Sequence, residues 1–563
     1  MTAKQLKFDD AAREALLRGA GQAAQVVRAT LGPRGRAAVL DRKYGSPQVS
    51  NDGATILRDL ELPDHFENMG AQLLAEASKR TNDRAGDGTT TAAVLAEAML
   101  REGLHNLQSG ASATGIKRGM DQAVEAVLRE LDRLSRPLEG RADTERVATV
   151  SSGSHEIGAM IADAMEKVTG EGVITVEEGS GLETEIEVVE GMQFDRGWVS
   201  PYLVTDQKSM EAVLDRPLIL ITTKKVSAVK DLLPALELAL NASRPLLLVA
   251  EDLEGEALAT LVVNRMRGTV SACAVKAPGF GDRRTAMLQD LAVLTGAELI
   301  SDDLGLTLEG VVESQLGSAR RVVVTKDDTT VVDGGGSSAA VQGRVRDIDR
   351  QIEDTDSDWD REKLQERKAR LVGGVAVIRV GAPTETALKE RKERVEDALE
   401  ATRAAVEEGV LPGGGRSLLA CRGVLDGLGS DDDERAGVAV VRRALEQPLR
   451  QLATNAGLEG GTVVAKVSAM GPTEGVDVEA LRFGDLLEMG ILDPAKVVKT
   501  SLVSASSVAG LLLTTQVLVA DQPEPPSPAS PGGDPGMGGM GGMGGMGGMG
   551  GMDGMDGMDD MDF

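Results

Sequence analysis

The sequence predicts a multi-domain chain in which an α/β domain is inserted between two halves of a mostly helical domain. The chain has 563 residues, which is too many for a single compact core. Helical hydrophobic periodicity dominates both ends of the chain. From about residue 172, short apolar runs bounded by Gly and Pro alternate with helical stretches, as in α/β domains.

Composition and charge narrow the class of protein. The net charge is −28, and 41% of residues are hydrophobic but only 2% are aromatic. Such a charge argues against a nucleic-acid or anionic-membrane partner and favours cations, metal–nucleotide complexes or proteins as ligands. Cys273 and Cys421 stand alone among small or apolar residues, so the sequence predicts two reduced core thiols and neither a zinc site nor a disulfide framework.

Hydrophobic periodicity gives the individual elements. A helix is predicted over 9–30, with one buried stripe, and a strand, turn and strand over 36–50. Further helices are predicted at 64–82, 89–108, 115–135, 252–267, 283–295, 357–372 and 384–408. In the last of these, Leu388, Val395, Leu399 and Val406 fall on one stripe.

One uncharged segment, 500–520, is long enough to span a bilayer. Its Ser, Thr and Gln residues and its lack of a basic flank favour a buried helix followed by a strand. The N-terminal segment has acidic residues at positions 9, 10 and 14 and no apolar signal core, so we expect no signal or transit peptide and a cytoplasmic location.

The stretch RAGDGTTTAAVLAEAML, residues 84–100, places Gly86, Asp87 and Gly88 before three threonines at the start of a helix. One interpretation is ordinary helix capping. Another is a phosphate site, because glycines allow close approach and free amides and hydroxyls bind anionic oxygens. No Lys follows the glycines, but Asp87 suits a Mg²⁺ ion that bridges phosphate oxygens. The motif alone leaves both interpretations open.

Four further loops carry related features. They are TLGPRGR (30–36), SNDGAT (50–55), PGGGRS (412–417) and MGILDPAKV (489–497). Together with 84–100, and in this order, these segments resemble the group I chaperonins, the GroEL family. The resemblance covers residues 2–521 and includes long stretches such as VVEGMQFDRGWVSPY and VKAPGFGDRR, and the Gly-Gly-Met tail is also typical of the family.

The resemblance implies a domain layout and an assembly. It predicts a helical equatorial domain for ATP (1–133 and 407–521), an intermediate domain (134–190 and 375–406), an apical α/β domain (191–374) and a disordered tail (522–563). Hinge positions are expected at Pro137, Gly191, Gly373, Gly374 and Gly409. The expected partners are other copies of the chain in seven-membered rings, which are stacked as two, a co-chaperonin of the GroES type, and unfolded client proteins, with no nucleic acid and no membrane.

The resemblance also implies the roles of individual residues. ATP, Mg²⁺ and K⁺ are the expected cofactors, with Asp87 as the metal ligand and Asp397 and Asp52 as catalytic carboxylates. The expected ATP-binding residues are Thr30, Leu31, Gly32, Pro33, Asp87, Gly88, Thr89, Thr90, Thr91, Gly414, Asp477, Val478, Glu479 and Asp493. The expected groove for clients and co-chaperonin is lined by Tyr202, Leu203, Leu233, Leu236, Leu258, Val262, Val263 and Asn264. By spacing alone, Asp397 would be a solvated helix charge and the groove residues would be core.

Some positions depart from the family pattern. Asn51 stands where the family commonly has a Lys close to the phosphates, and Asp477 stands where it has an Asn near the base. Pro383 is an unusual residue for the family at its position beside Glu385. The leading hypothesis is an ATP-dependent chaperonin that encloses and refolds proteins. One alternative is a specialised ring-forming paralogue with few clients or a scaffold role. A small-molecule kinase or phosphatase would share the phosphate loops, but it does not explain the middle segment.

Overall fold

The structure, a computed structural model, describes residues 4–41, 47–168, 173–179, 181–207, 209–355 and 357–522. The chain divides into a small unit, residues 1–5 with 520–563, and a main unit, Leu6–Val519. The predicted tail from 523 onward and the turn at 42–46 lie outside the described residues.

The first part of the chain is helical, as predicted. Its elements are β1 (Lys4–Phe8), α1 (Asp9–Arg28), β2 (Ala38–Leu40), β3 (Gln48–Ser50), α2 (Gly53–Arg58), α3 (His65–Ala85), α4 (Thr89–Gln108) and α5 (Ala113–Leu134). Helices α1 and α3 cross closely, because a Cβ atom on Gly19 would lie 1.7 Å from the carbonyl oxygen of Glu67. Small side chains therefore let these helices pack backbone to backbone, which suits a core rich in Ala.

A small mixed layer follows. It contains α6 (Gly140–Ser152), α7 (His155–Lys167), β4 (Val173–Glu178) and β5 (Glu185–Val189). Its sheet is completed by a strand from much later in the chain, Val375–Val380, which pairs with β4 in parallel and with β5 antiparallel. Buried apolar side chains between this sheet and the helices form a core of their own.

The middle of the chain folds as the predicted α/β domain. Its strands are β6 (Gly191–Phe194), β7 (Ala212–Asp215), β8 (Leu218–Ile221), β9 (Lys225–Val226), β10 (Leu246–Ala250), β11 (Asp252–Leu253), β12 (Ala272–Lys276), β13 (Gly317–Val324) and β14 (Thr329–Gly334). Its helices are α8 (Val229–Ala242), α9 (Gly255–Met266), α10 (Gly281–Thr295), α11 (Ser338–Asp354) and α12 (Asp358–Val372). The main sheet has the order β12-β10-β8-β13-β14-β6, with β7 beside β13. Cys273 lies in this core, and burial raises the pKa of its thiol and of the Cys421 thiol to about 12.

The chain then returns to the small mixed layer and to the helical domain. The elements are β15 (Val375–Val380), α13 (Glu385–Glu408), β16 (Val410–Pro412), α14 (Arg416–Ala420), α15 (Asp432–Ala444), α16 (Gln447–Asn455), α17 (Gly460–Ser468), β17 (Glu474–Asp477), β18 (Arg482–Asp485), β19 (Leu492–Pro494), α18 (Ala495–Thr514) and β20 (Val517–Asp521). On α13 the predicted stripe is buried at Val395 and Leu399 and partly buried at Leu388, but Val406 is exposed.

Helix α18 is the segment whose composition suggested a membrane span. Among the described residues it is the one helix long and apolar enough to cross a bilayer. It packs against α3, α4 and α5, and most of its apolar side chains are buried there. The prediction of a buried helix followed by a strand is therefore confirmed.

An ion-pair cluster joins the small mixed layer to the α/β domain. Glu177 of β4 is buried and accepts a hydrogen bond from Arg320 of β13 at 2.9 Å, and its second oxygen lies 3.6 Å from Arg321. Removing one member of a buried ion pair leaves the other charge uncompensated. Glu177 and its two arginines therefore link the sheet of the small mixed layer to the main sheet of the α/β domain.

Candidate nucleotide site

Asp87 lies between two glycines with left-handed backbone conformations. Gly86 ends α3 with φ of +68°, and Gly88 precedes α4 with φ of +86°. A Cβ atom on Gly88 would lie 2.5 Å from the Ser501 hydroxyl and 2.7 Å from Val497, so the packing of α18 also requires glycine here. Gly86 and Gly88 therefore add no side chain of their own in front of the first amides of α4.

The carboxylate of Asp87 is held from two sides. It accepts a bond from the Gly88 amide, and the hydroxyl of Ser151 on α6 donates to its other oxygen at 2.9 Å. Burial raises the pKa of Asp87, and the nearby Asp52 raises it further. Ser151 was not predicted from the sequence, because its position on a distant helix gives no local signal.

A second helix begins beside α4. Asp52 caps α2 by accepting from the Ala54 amide at 3.2 Å and the Thr55 amide at 2.7 Å. The hydroxyl of Thr89 donates to Asp52 at 3.1 Å. A Cβ atom on Gly53 would lie 2.7 Å from the Thr90 hydroxyl, so the two helix starts are nearly in contact. Capping by Asp52 and a ligand site at the start of α4 are thus compatible.

The loop after α1 reaches the same place. The Thr30 hydroxyl lies 3.3 Å from the Thr90 hydroxyl, and Gly32 has φ of +80°. Asn455 of α16 donates to the carbonyl of Leu31 at 2.9 Å, which anchors the loop. Pro33 follows on the exposed outer side of the turn. Asn455 is a further residue without a recognisable sequence signal.

The glycine loop between β16 and α14 faces Asp493. Strand β16 pairs with β19 so that Leu411 is opposite Asp493. Gly414 and Gly415 both have positive φ, and their amides are directed to the Asp493 carboxylate. Burial raises the pKa of Asp493 to about 6, with a further contribution from Asp87 and an opposing one from these two amides.

The hairpin of β17 and β18 carries the residues expected near the base. Asp477 accepts from the amides of Glu479 and Ala480 at 3.0 and 2.9 Å, which closes the turn, and Val478 is buried. Arg34 donates to the carbonyl of Glu479 at 2.7 Å, so the hairpin is tied to the loop after α1. Asp477 therefore stabilises its own turn through a side-chain oxygen that accepts two amide bonds. The side-chain oxygen of an Asn could accept the same bonds.

Helix α13 adds a further carboxylate from the small mixed layer. Burial raises the pKa of Asp397 well above its usual range, and the nearby Asp52 and Asp87 raise it further. Glu393 on the same helix accepts bonds from Gln48 and Ser50 of the β2–β3 hairpin. The helix thus lies close to the helical domain, with Asp397 within electrostatic range of the glycine loop.

These contacts join all five predicted segments. Asp52 raises the pKa of Asp87 and of Asp397, and Asp87 raises that of Asp397 and of Asp493, because bringing like charges together is unfavourable without a cation. In the described part of the chain no three acidic, His or Cys side chains gather as a ready metal cage. One or two carboxylates beside free amides and hydroxyls is the donor set that suits Mg²⁺ held jointly with phosphate oxygens. The residues therefore fit a metal–nucleotide complex.

The predicted groove residues fall into two groups. On α8, α9 and the preceding turn, Tyr202 is 65% exposed, Leu233 45% and Val263 43%. Leu258 and Val262 are partly buried, and Asn264 bonds to the carbonyl of Thr260. In contrast, Leu203 and Leu236 are buried, and they belong to the same apolar core as the strands of the main sheet. In this structure those two side chains add no exposed surface to the groove.

The predicted hinge residues lie at junctions between the layers. Pro137 lies in the connection from α5 to α6, Gly191 begins β6, Gly373 and Gly374 connect α12 to β15, and Gly409 connects α13 to β16. Gly374 and Gly409 have φ of +65° and +81°, which favours glycine, whereas Gly373 is helical. Movement at these points stays a prediction.

Five loops of the helical part of the chain thus lie close together, and α13 of the small mixed layer lies beside them. The TCP-1/cpn60 chaperonin family matches residues 23–523. Because this match covers most of the chain, the chain belongs to the TCP-1/cpn60 chaperonin family, and a chaperone function follows from that membership.

Proposed function

We propose that this protein is an ATP-dependent group I chaperonin that binds non-native proteins, encloses them in a ring with a GroES-type co-chaperonin, and promotes their refolding. The observation that supports it most is the convergence of Asp52, Asp87 and Asp397 on the starts of α2 and α4. The group I assignment rests on the sequence resemblance. The proposed location is the cytoplasm, and the proposed assembly is two stacked seven-membered rings.

The proposed chemistry is transfer of the terminal phosphoryl group of ATP to water. In this proposal Asp87 would hold Mg²⁺, and the bound ion would neutralise phosphate charge. The amides and hydroxyls at Gly88, Thr89, Thr90 and Thr91 hold phosphate oxygens, and Thr30 to Pro33 enclose them. Gly414, Asp493 and the hairpin at Asp477 to Glu479 surround the ribose and base. K⁺ is proposed beside the nucleotide.

Asp397 is proposed to orient the attacking water, with Asp52 nearby. A carboxylate with a raised pKa is suited to accept a proton when a cation and water enter its surroundings. Because Asp397 belongs to α13 and Asp87 to the helical domain, closure of α13 onto the cleft would complete the site. This links nucleotide turnover to domain orientation.

Phosphate release with Mg²⁺ and ATP tests the reaction class. We expect ADP and phosphate to form without any phosphorylated acceptor. A phosphorylated small molecule would instead favour a kinase. Full ATP turnover without client refolding would favour the ring-forming paralogue, whose motivation is the exposed Asn51 beside Asp52.

A further inference from the structure

A second cleft lies on the α/β domain, apart from the nucleotide loops and from the exposed groove of Tyr202, Leu233 and Val263. It is formed by α10, α12 and the loop after β6, and its volume is about 420 Å³. This volume lies in the range of pockets that enclose small ligands or a few side chains. We name it the α10–α12 cleft.

Two exposed aromatic rings mark this cleft. Phe280, which lines it, is 74% exposed, and Trp359, at the start of α12, is 57% exposed. The Arg196 guanidinium lies 5.7 Å from the centre of the Phe280 ring, and that of Arg283 lies 3.5 Å from the centre of the Trp359 ring. The whole chain has only two Trp and six Phe. Exposed aromatic side chains combined with arginine are typical of interaction surfaces.

The cleft is positively charged within a strongly acidic chain. The cationic residues that line it are Arg196, Arg283, Lys363, Arg367 and Arg370. Among the residues whose side chains the structure describes, three carboxylates line it, and the net charge of the chain is −28. Beneath it, the buried Asp290 accepts bonds from both Arg344 and Arg367, so one negative charge serves two guanidinium groups.

Arg283 and Arg196 are only loosely paired with carboxylates. The nearest N–O distances to a carboxylate are 3.5 Å from Arg283 to Asp360 and 3.5 Å from Arg196 to Asp195, and Arg196 also donates to the Asp195 carbonyl at 2.7 Å. Exposed ion pairs of this kind contribute little to the free energy of folding. Shorter, charge-assisted bonds to a ligand carboxylate would therefore be favourable at modest cost.

We propose that the α10–α12 cleft is a second client-binding site, which takes unfolded acidic segments in which carboxylates stand beside an apolar or aromatic side chain. This rests on the proposed client-binding function and specifies one class of client. The apolar side chain packs on Phe280, Met287 and Leu364, while the carboxylates pair with the surrounding guanidinium groups. The exposed groove of Tyr202, Leu233 and Val263, by contrast, offers apolar side chains, and we expect it to bind apolar segments irrespective of their charge.

Two labelled peptides test the proposal by fluorescence anisotropy with the full chain. One contains three Asp-Leu-Asp-Phe repeats, and its partner replaces every Asp by Asn. We expect Phe280→Ser and Arg283→Ser each to weaken binding of the acidic peptide about fivefold or more, and to leave the Asn peptide unaffected. Leu233→Ser should weaken the Asn peptide. Both cleft side chains are substantially exposed, so their replacement leaves the core intact.

Leu304→Ser is the matched control, because Leu304 is an exposed apolar residue of the same domain outside both surfaces. The proposal would be overturned if Leu304→Ser weakened binding of the acidic peptide as much as the cleft variants do. It would also be overturned if Leu233→Ser weakened binding of that peptide and Phe280→Ser did not. If neither peptide binds to any form of the protein, the client-binding function itself fails, and this outcome is distinct from failure of the cleft alone.

Discussion

At the scale of single residues, the candidate nucleotide site is a set of carboxylates whose proximity is electrostatically unfavourable. Asp87 is the one that lies at the start of a long helix, between two glycines that fit only left-handed backbone. Asp397 approaches from another layer. We therefore expect Asp87 and Asp397 to have separable effects, on metal binding and on the chemical step.

Asp87→Ala should abolish Mg²⁺-dependent ATP hydrolysis and leave the protein folded, because the loop loses its metal ligand and keeps its backbone. Phosphate release and circular dichroism measure the two effects. Asp121→Ala is the control, since Asp121 is exposed and pairs only with Lys117 among the described contacts. Full ATPase activity in Asp87→Ala would remove Asp87 from the metal site.

Asp397→Ala should bind ATP nearly as well as the unmodified chain but hydrolyse it about 10²-fold more slowly or worse, since a water-orienting carboxylate acts on the barrier. Nucleotide titration and single-turnover kinetics separate binding from chemistry. Glu407→Ala, an exposed carboxylate on the same helix, is the control. Equal losses of binding and turnover would show that Asp397 has another role.

Asp493 gives a prediction about pH. Its pKa is about 6 in the folded chain, against about 3.9 for a free Asp, so the folded state binds the proton more tightly. The contribution of Asp493 to the free energy of unfolding of the nucleotide-free protein therefore falls as pH rises from about 4 to 6, and it stays lower above that range. Asp493→Asn should be more stable than the unmodified chain by a margin that grows over this interval. Urea denaturation at a series of pH values measures the margin, and a margin that does not change with pH would contradict the assignment.

At the scale of elements, periodicity predicted the long helices well. Helix α4 begins and ends where the sequence indicated, because a glycine precedes it and its apolar residues are evenly spaced. The stripe on α13 failed at Val406, since periodicity cannot say where a neighbouring layer stops. The contacts from Ser151, Asn455 and Arg34 were also not predictable, because they join positions far apart in the chain.

Gly88→Ala should lower stability by about 2–4 kcal/mol, from left-handed strain together with overlap against Ser501 and Val497. Gly110→Ala isolates the strain, because Gly110 also has positive φ but has no atom within 4 Å of an added Cβ. The denaturation midpoint should fall further for Gly88→Ala than for Gly110→Ala. Equal midpoints for the two variants would show that α18 adjusts without cost.

At the scale of the whole molecule, the alternation of strands and helices in the middle of a mostly helical chain was readable from composition and periodicity. The assignment of Asp397 to the cleft was not, because its spacing on α13 is that of an ordinary surface charge. Only the resemblance to chaperonins suggested it, and the electrostatic coupling of Asp397 to Asp52 and Asp87 now supports it. Likewise, burial of Leu203 and Leu236 required the packed domain and could not be read from apolar character alone.

The most direct test of an ATP-driven chaperonin is the recovery of a chemically denatured enzyme on dilution into this protein. With Mg²⁺, ATP and a GroES-type co-chaperonin, we expect recovered activity well above spontaneous refolding. Without nucleotide, or with the Asp397→Ala variant, the client should stay bound and recovery should be much lower. Equal recovery of enzyme activity with and without ATP would contradict the coupling of ATP hydrolysis to refolding. So would full recovery with the Asp397→Ala variant, both in a single ATP cycle and in repeated cycles.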